Sequence, residues 1–91
     1  MQEEIIELKN ELKKLEKEYK KTWPIMRGSV TYMGTKNKQP YFSLSLKGQT
    51  KTIYLGDKRA KVVRKYVENY KKSTELVNKM TLIQMEIFKK S

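Results

Sequence analysis

Tyr41-Phe42-Ser43-Leu44-Ser45-Leu46-Lys47-Gly48-Gln49-Thr50-Lys51-Thr52-Ile53-Tyr54-Leu55 is the stretch whose reading decides the fold. Phe42, Leu44 and Leu46 alternate with Tyr41, Ser43 and Ser45, and Ile53 and Leu55 alternate with Thr52 and Tyr54. Alternation with period two marks half-buried strands. Lys47-Gly48 between the two runs is a tight-turn signal. Upstream, Val30 and Tyr32 alternate with Ser29, Thr31 and Met33, and Gly34 opens a loop through Thr35-Lys36-Asn37-Lys38. Three alternating runs separated by turn residues predict a three-stranded antiparallel meander over residues 27–55.

Both flanks read as helices. Ile5, Leu8, Leu12, Leu15 and Tyr19 recur at spacings of three and four, the heptad seam of a coiled coil, so residues 2–22 are expected to be helical. Trp23-Pro24 stops this helix, because proline pushes the residue before it out of helical dihedrals. Downstream, Asp57 suits an N-cap, and residues 57–90 hold neither Pro nor Gly. Val63, Tyr66, Val67, Tyr70, Val77, Met80, Gln84 and Ile87 follow a helical repeat there, widened by Leu76, Ile83 and Phe88, with Ser73-Thr74 as a polar interruption.

The expected fold class is therefore α+β: an N-terminal helix, a three-stranded meander and a long C-terminal helix within a single domain, 1–91. At about 1.5 Å per residue, the first half of the long helix can cover the sheet. Its second half, from about residue 71, can lie antiparallel to the first helix. Two helices alone hide little surface, so this stalk is expected to dimerise into a four-helix bundle. The expected interface is Ile5, Leu8, Leu12, Leu15, Tyr19, Val77, Met80, Ile83 and Ile87.

The chain of 91 residues carries 21 Lys and Arg against 10 acids, a net charge of +11, with no His and no Cys. Residues 1–24 hold six Lys and six Glu; residues 25–59 hold seven cations and one acid; residues 60–91 hold eight and three. The first helix is neutral and the charge lies on the rest, which points to an anionic partner. Without Cys or His there is no disulfide, thiolate chemistry or imidazole base, and no metal or cofactor is expected. The glycines are isolated, with no phosphate-binding loop, and no paired carboxylates stand outside the first helix; the chain is not expected to be an enzyme. There is no apolar h-region at the N-terminus and no run long enough to span a bilayer, so a cytoplasmic location is expected, that of the host if the protein is phage-encoded.

Alternation sorts the sheet into two faces. Val30, Tyr32, Phe42, Leu44, Leu46, Ile53 and Leu55 should lie under the long helix. The opposite face should carry Arg27, Ser29, Thr31, Met33, Tyr41, Ser43, Ser45, Thr50, Thr52 and Tyr54, rimmed by Lys36, Lys38, Lys47 and Lys51. Small hydroxyls allow close approach, Tyr stacks or donates to phosphate, and cations supply the Coulomb attraction. Such residues are also ordinary on an exposed antiparallel face. The candidate nucleic-acid or anion contacts are Arg27, Lys36, Lys38, Tyr41, Ser43, Lys47, Lys51, Thr52, Tyr54, Lys58 and Arg59.

Two resemblances follow from these residues. The sheet, helix and basic turns over residues 27–72 resemble the arm-type DNA-binding domains of tyrosine recombinases. Arg27-Gly28-Ser29-Val30, Gln39-Pro40-Tyr41-Phe42-Ser43-Leu44-Ser45, Gly48-Gln49-Thr50-Lys51-Thr52-Ile53-Tyr54-Leu55 and Val67-Glu68-Asn69-Tyr70-Lys71-Lys72 resemble, in order and over nearly the whole chain, a helix–sheet–helix family carried on bacterial transposons and phages. That family has no established activity. Many of its members carry cysteines between the first two strands that suggest a metal knuckle, whereas Met33 to Lys38 here hold none. The resemblance implies a mobile-element or phage setting.

The leading expectation is a DNA- or RNA-binding accessory protein. The alternative is a phage counter-defence protein that inhibits a bacterial immune protein or sequesters an anionic nucleotide. A coiled-coil assembly factor is the third.

Overall fold

The computed structural model describes residues 2–91. Its elements run α1 (Gln2–Lys21), β1 (Ser29–Met33), β2 (Gln39–Leu46), β3 (Gln49–Tyr54) and α2 (Gly56–Lys90). The sheet is an antiparallel meander in the order β1-β2-β3. This is the α+β architecture the alternation predicts. α2 starts one residue before the expected cap, so Asp57 stands in its first turn, where a carboxylate favours the positive end of the helix dipole. Ser73-Thr74 do not interrupt α2.

The chain forms two compact units that share α2. One is Pro24–Tyr70, the sheet and the first part of α2. Its core is Phe42, Leu55, Ala60 and Val63, with Met26, Val30, Leu44 and Val67 packed around it. Pro40, fully buried in the central strand, lacks an N–H, but its carbonyl accepts from Leu55 N at 3.0 Å. The irregular segment before β1 is tied to α2: Met26 N donates to Tyr66 O at 3.2 Å, and Asn69 Nδ2 donates to Pro24 O at 3.0 Å.

Only part of the expected inner face is covered. Tyr32, Leu46 and Ile53 share the register face of Phe42 yet remain exposed. A helix about 10 Å across spans roughly two strands set about 4.8 Å apart, so one helix cannot roof three. Every residue of β3 is exposed as a result.

The second unit is a helical hairpin of the chain up to Trp23 and Lys71–Ser91. Ile5, Leu8, Leu12, Leu15 and Tyr19 are half-buried in it, facing a stripe of Ser73, Leu76, Met80, Ile83 and Ile87 on α2. The start of α1 lies against the end of α2, where Lys90 Nζ meets Glu4 Oε2 at 2.9 Å. At the other end of α1, Thr22 Oγ1 donates to Tyr19 O at 2.7 Å and Trp23 packs edge-on to Tyr19. Most residues expected between copies thus line the interior of a hairpin within one chain. Val77 stands outside it, exposed.

Candidate nucleic-acid interface

Strand register defines the open face. Ser29, Ser43 and Thr52 form one row across it; Thr31, Tyr41 and Tyr54 form the next. Met33 with Gln39, and Ser45 with Thr50, complete it. The face holds no acid. Tyr41 and Tyr54 meet edge to face, their centroids 5.5 Å apart, and Tyr54 Oη donates to Gln39 Oε1 at 3.4 Å. These contacts fix two rings side by side with their edges open to solvent. Tyr54 is exposed and Tyr41 half-buried.

Topology gathers the cations at the two ends of the sheet. The β1–β2 loop, with Lys36 and Lys38, and the first turn of α2, with Lys58 and Arg59, lie at one end. Arg27 and the Lys47-Gly48 turn lie at the other. Arg27 Nη2 donates to Ser45 O at 3.2 Å, which ties its guanidinium to the edge of the open face. The eight residues of β2 set these clusters at least about 23 Å apart at about 3.3 Å per residue, the length of roughly seven duplex phosphate steps.

Two expected contacts are placed differently. Lys51 pairs with Leu44, so it issues on the face that α2 covers and not on the open one. The reason is parity: within β3, odd-numbered residues share the side of Ile53. Arg59 is engaged by the fold, with Nε donating to Leu55 O at 2.7 Å and Nη2 to Tyr54 O at 2.8 Å. It closes the end of β3 while keeping its charge. Tyr41, Ser43, Thr52 and Tyr54 share the open face by register, and Arg27, Lys36, Lys38, Lys47 and Lys58 are exposed at the ends of the sheet.

Gln39 also joins the open face, and its parity with Tyr41 is the signal in the sequence. Arg64 was missed as well. Its guanidinium carbon lies 5.3 Å from the centroid of Tyr32, a cation–π contact on the helix side that no spacing rule reveals.

The unit Pro24–Tyr70 holds ten Lys and Arg against Asp57 and Glu68. Among the described residues no ion pair involves any of them; the pairs that form are Lys89–Glu86 and Lys90–Glu4, in the hairpin. No group of His, Cys, Asp and Glu among the described residues could hold a metal ion, and no helix there is long and apolar enough to cross a membrane. No protein-family model matches the chain, and no curated protein or solved structure is detectably similar to it.

Proposed function

We propose that this protein binds DNA or RNA without catalysis, laying the open sheet face along the polyanion with Arg27 and Lys47 at one end and Lys36, Lys38 and Lys58 at the other. In this reading it is an accessory protein of a mobile element or phage and works in the cytoplasm of the host cell. The observation that carries it is the acid-free face of hydroxyls and paired tyrosines between clusters of cations that no acid neutralises. Salt-bridged lysines would have to break a pair before meeting phosphate; these need not. Hydroxyls and tyrosines add position, and stacking on exposed bases adds about 1–3 kcal/mol for each base engaged.

The test is fluorescence anisotropy with labelled single-stranded and duplex DNA and RNA across a salt series. Binding of about micromolar strength at low salt is expected, with log affinity falling by about 0.7–0.9 per neutralised phosphate for each unit of log salt. Lys36→Ala with Lys38→Ala should flatten that slope by about one unit per lost contact, and Arg27→Ala should do the same. Lys51→Ala should leave it nearly unchanged, because that side chain issues on the opposite side of the sheet from the open face. Equal losses from all four positions would show that net charge and not the face is recognised. Tight one-to-one binding of a cyclic dinucleotide with little salt response would replace this reading with nucleotide sequestration.

A further inference from the structure

The hairpin is unfinished as a single-chain object. No side chain of α1 is fully buried. On α2, Val77, Thr81, Met85 and Phe88 recur at spacings of four, four and three, which sets them on one face beside the stripe that meets α1. This flank is open: Phe88 is 75% exposed, Met85 51% and Val77 42%. Ile6 on α1 is 57% exposed, although its neighbours in the heptad seam are half-buried. Beside Phe88, a groove of about 360 Å³ opens between the helices, lined by Ile5, Ile6 and Ile87, with Gln2, Lys9 and Ser91 at its rim.

We infer that a second copy of this chain covers this flank, in a two-fold contact that seats Phe88 of each copy in the groove of the other. Surface area supports this. The chain exposes 7472 Å², whereas a compact monomer of 10.9 kDa exposes about 5,600 Å². The excess of roughly 1,900 Å² is more than the ~800 Å² per partner that a standard interface buries. Shape supports it too, since a projecting ring beside a groove able to take one is what an isologous contact requires. Charge decides between occupants. Exposed large apolar residues stand on both units, but those of this flank lie on the hairpin, the less charged unit, where eleven Lys meet eight Glu. Copies that meet there keep their strongly cationic sheets out of the contact. A surface of anionic lipid would instead be drawn first to the sheet unit, where ten Lys and Arg meet two acids. The inference is independent of nucleic-acid binding.

The experiment is sedimentation equilibrium of the full chain over a concentration series, beside Phe88→Glu and Met85→Lys, with circular dichroism as the control for folding. The wild type should reach a mass of twice 10.9 kDa. Phe88→Glu should weaken association by about thirty-fold or more, as loss of an anchor residue does, with helix content unchanged. Met85→Lys, also at an exposed position, should weaken it in the same direction. A wild type that stays monomeric at high micromolar concentration overturns the inference, as does a dimer that both variants leave intact. Co-sedimentation of a monomeric wild type with phosphatidylglycerol vesicles, lost in Phe88→Glu, would assign the flank to lipid instead.

Discussion

At the scale of the residue, Gly28 governs how β1 meets the core. Its φ is +149°, and a Cβ there would sit 2.5 Å from Phe42 Cζ and 2.6 Å from the Ser43 carbonyl oxygen. The first obstacle is a ring packed in the core and the second is backbone, so neither yields cheaply. Gly28→Ala is therefore expected to destabilise the protein by about 2–3 kcal/mol, at the upper end of ordinary overpacking, as a drop in urea midpoint with little change in slope. The turn residues act differently. Lys47 and Gly48 both have positive φ, 51° and 78°, as a two-residue type I′ hairpin requires. Lysine tolerates this region less well than asparagine, and here it holds a cation at the tip of the hairpin. Arg59 likewise serves the fold and the charge together.

At the scale of the element, the hairpin is held by a thin apolar seam and by the contact of Lys90 with Glu4. The hydrogen bond to the Glu4 carboxylate, and then its charge, raise the Lys90 ammonium above its usual value of 10.5. A cation whose pKa is raised by folding adds stability that is complete below 10.5 and is lost as pH climbs through the raised folded value. Both side chains are solvent-accessible, so the effect is small. Glu4→Gln should lower the thermal midpoint slightly at neutral pH, and the gap between wild type and variant should close in strong alkali. A gap that persists there would mean that the substitution acts through packing. Within the sheet, the stranded position of β3 follows from element width, since a single helix leaves Leu46 and Ile53 uncovered.

At the scale of the whole molecule, the charge is unevenly divided between the two units. The unit Pro24–Tyr70 carries the unpaired cations, and the hairpin carries the open apolar flank. If two copies share that flank, thermal stability must depend on concentration, because association stabilises the folded state by mass action. The midpoint should rise with wild-type concentration and stay flat for Phe88→Glu. A bound polyanion should raise the midpoint at low salt and lose that effect as salt increases.

The sequence by itself determined the element order, the two faces of the sheet and the distribution of charge. These rest on local periodicity and on counts, which do not need distant parts of the chain. Alternation placed Tyr41 and Tyr54 on one face, and the heptad spacing of Ile5 to Tyr19 marked α1 as one side of a helical pair. The tertiary structure decided which partner each surface takes. The seam of α1 meets the second half of α2, the antiparallel pairing that the helix lengths anticipate, and the structure leaves Phe88 and Val77, one outside and one inside the expected interface set, on a separate open flank. It also decided that Lys51 leaves the candidate site, that Arg59 closes a strand end, and that Arg64 finds Tyr32. Those outcomes depend on strand pairing, helix width and side-chain reach across layers, and none of these is written in the spacing of neighbouring residues.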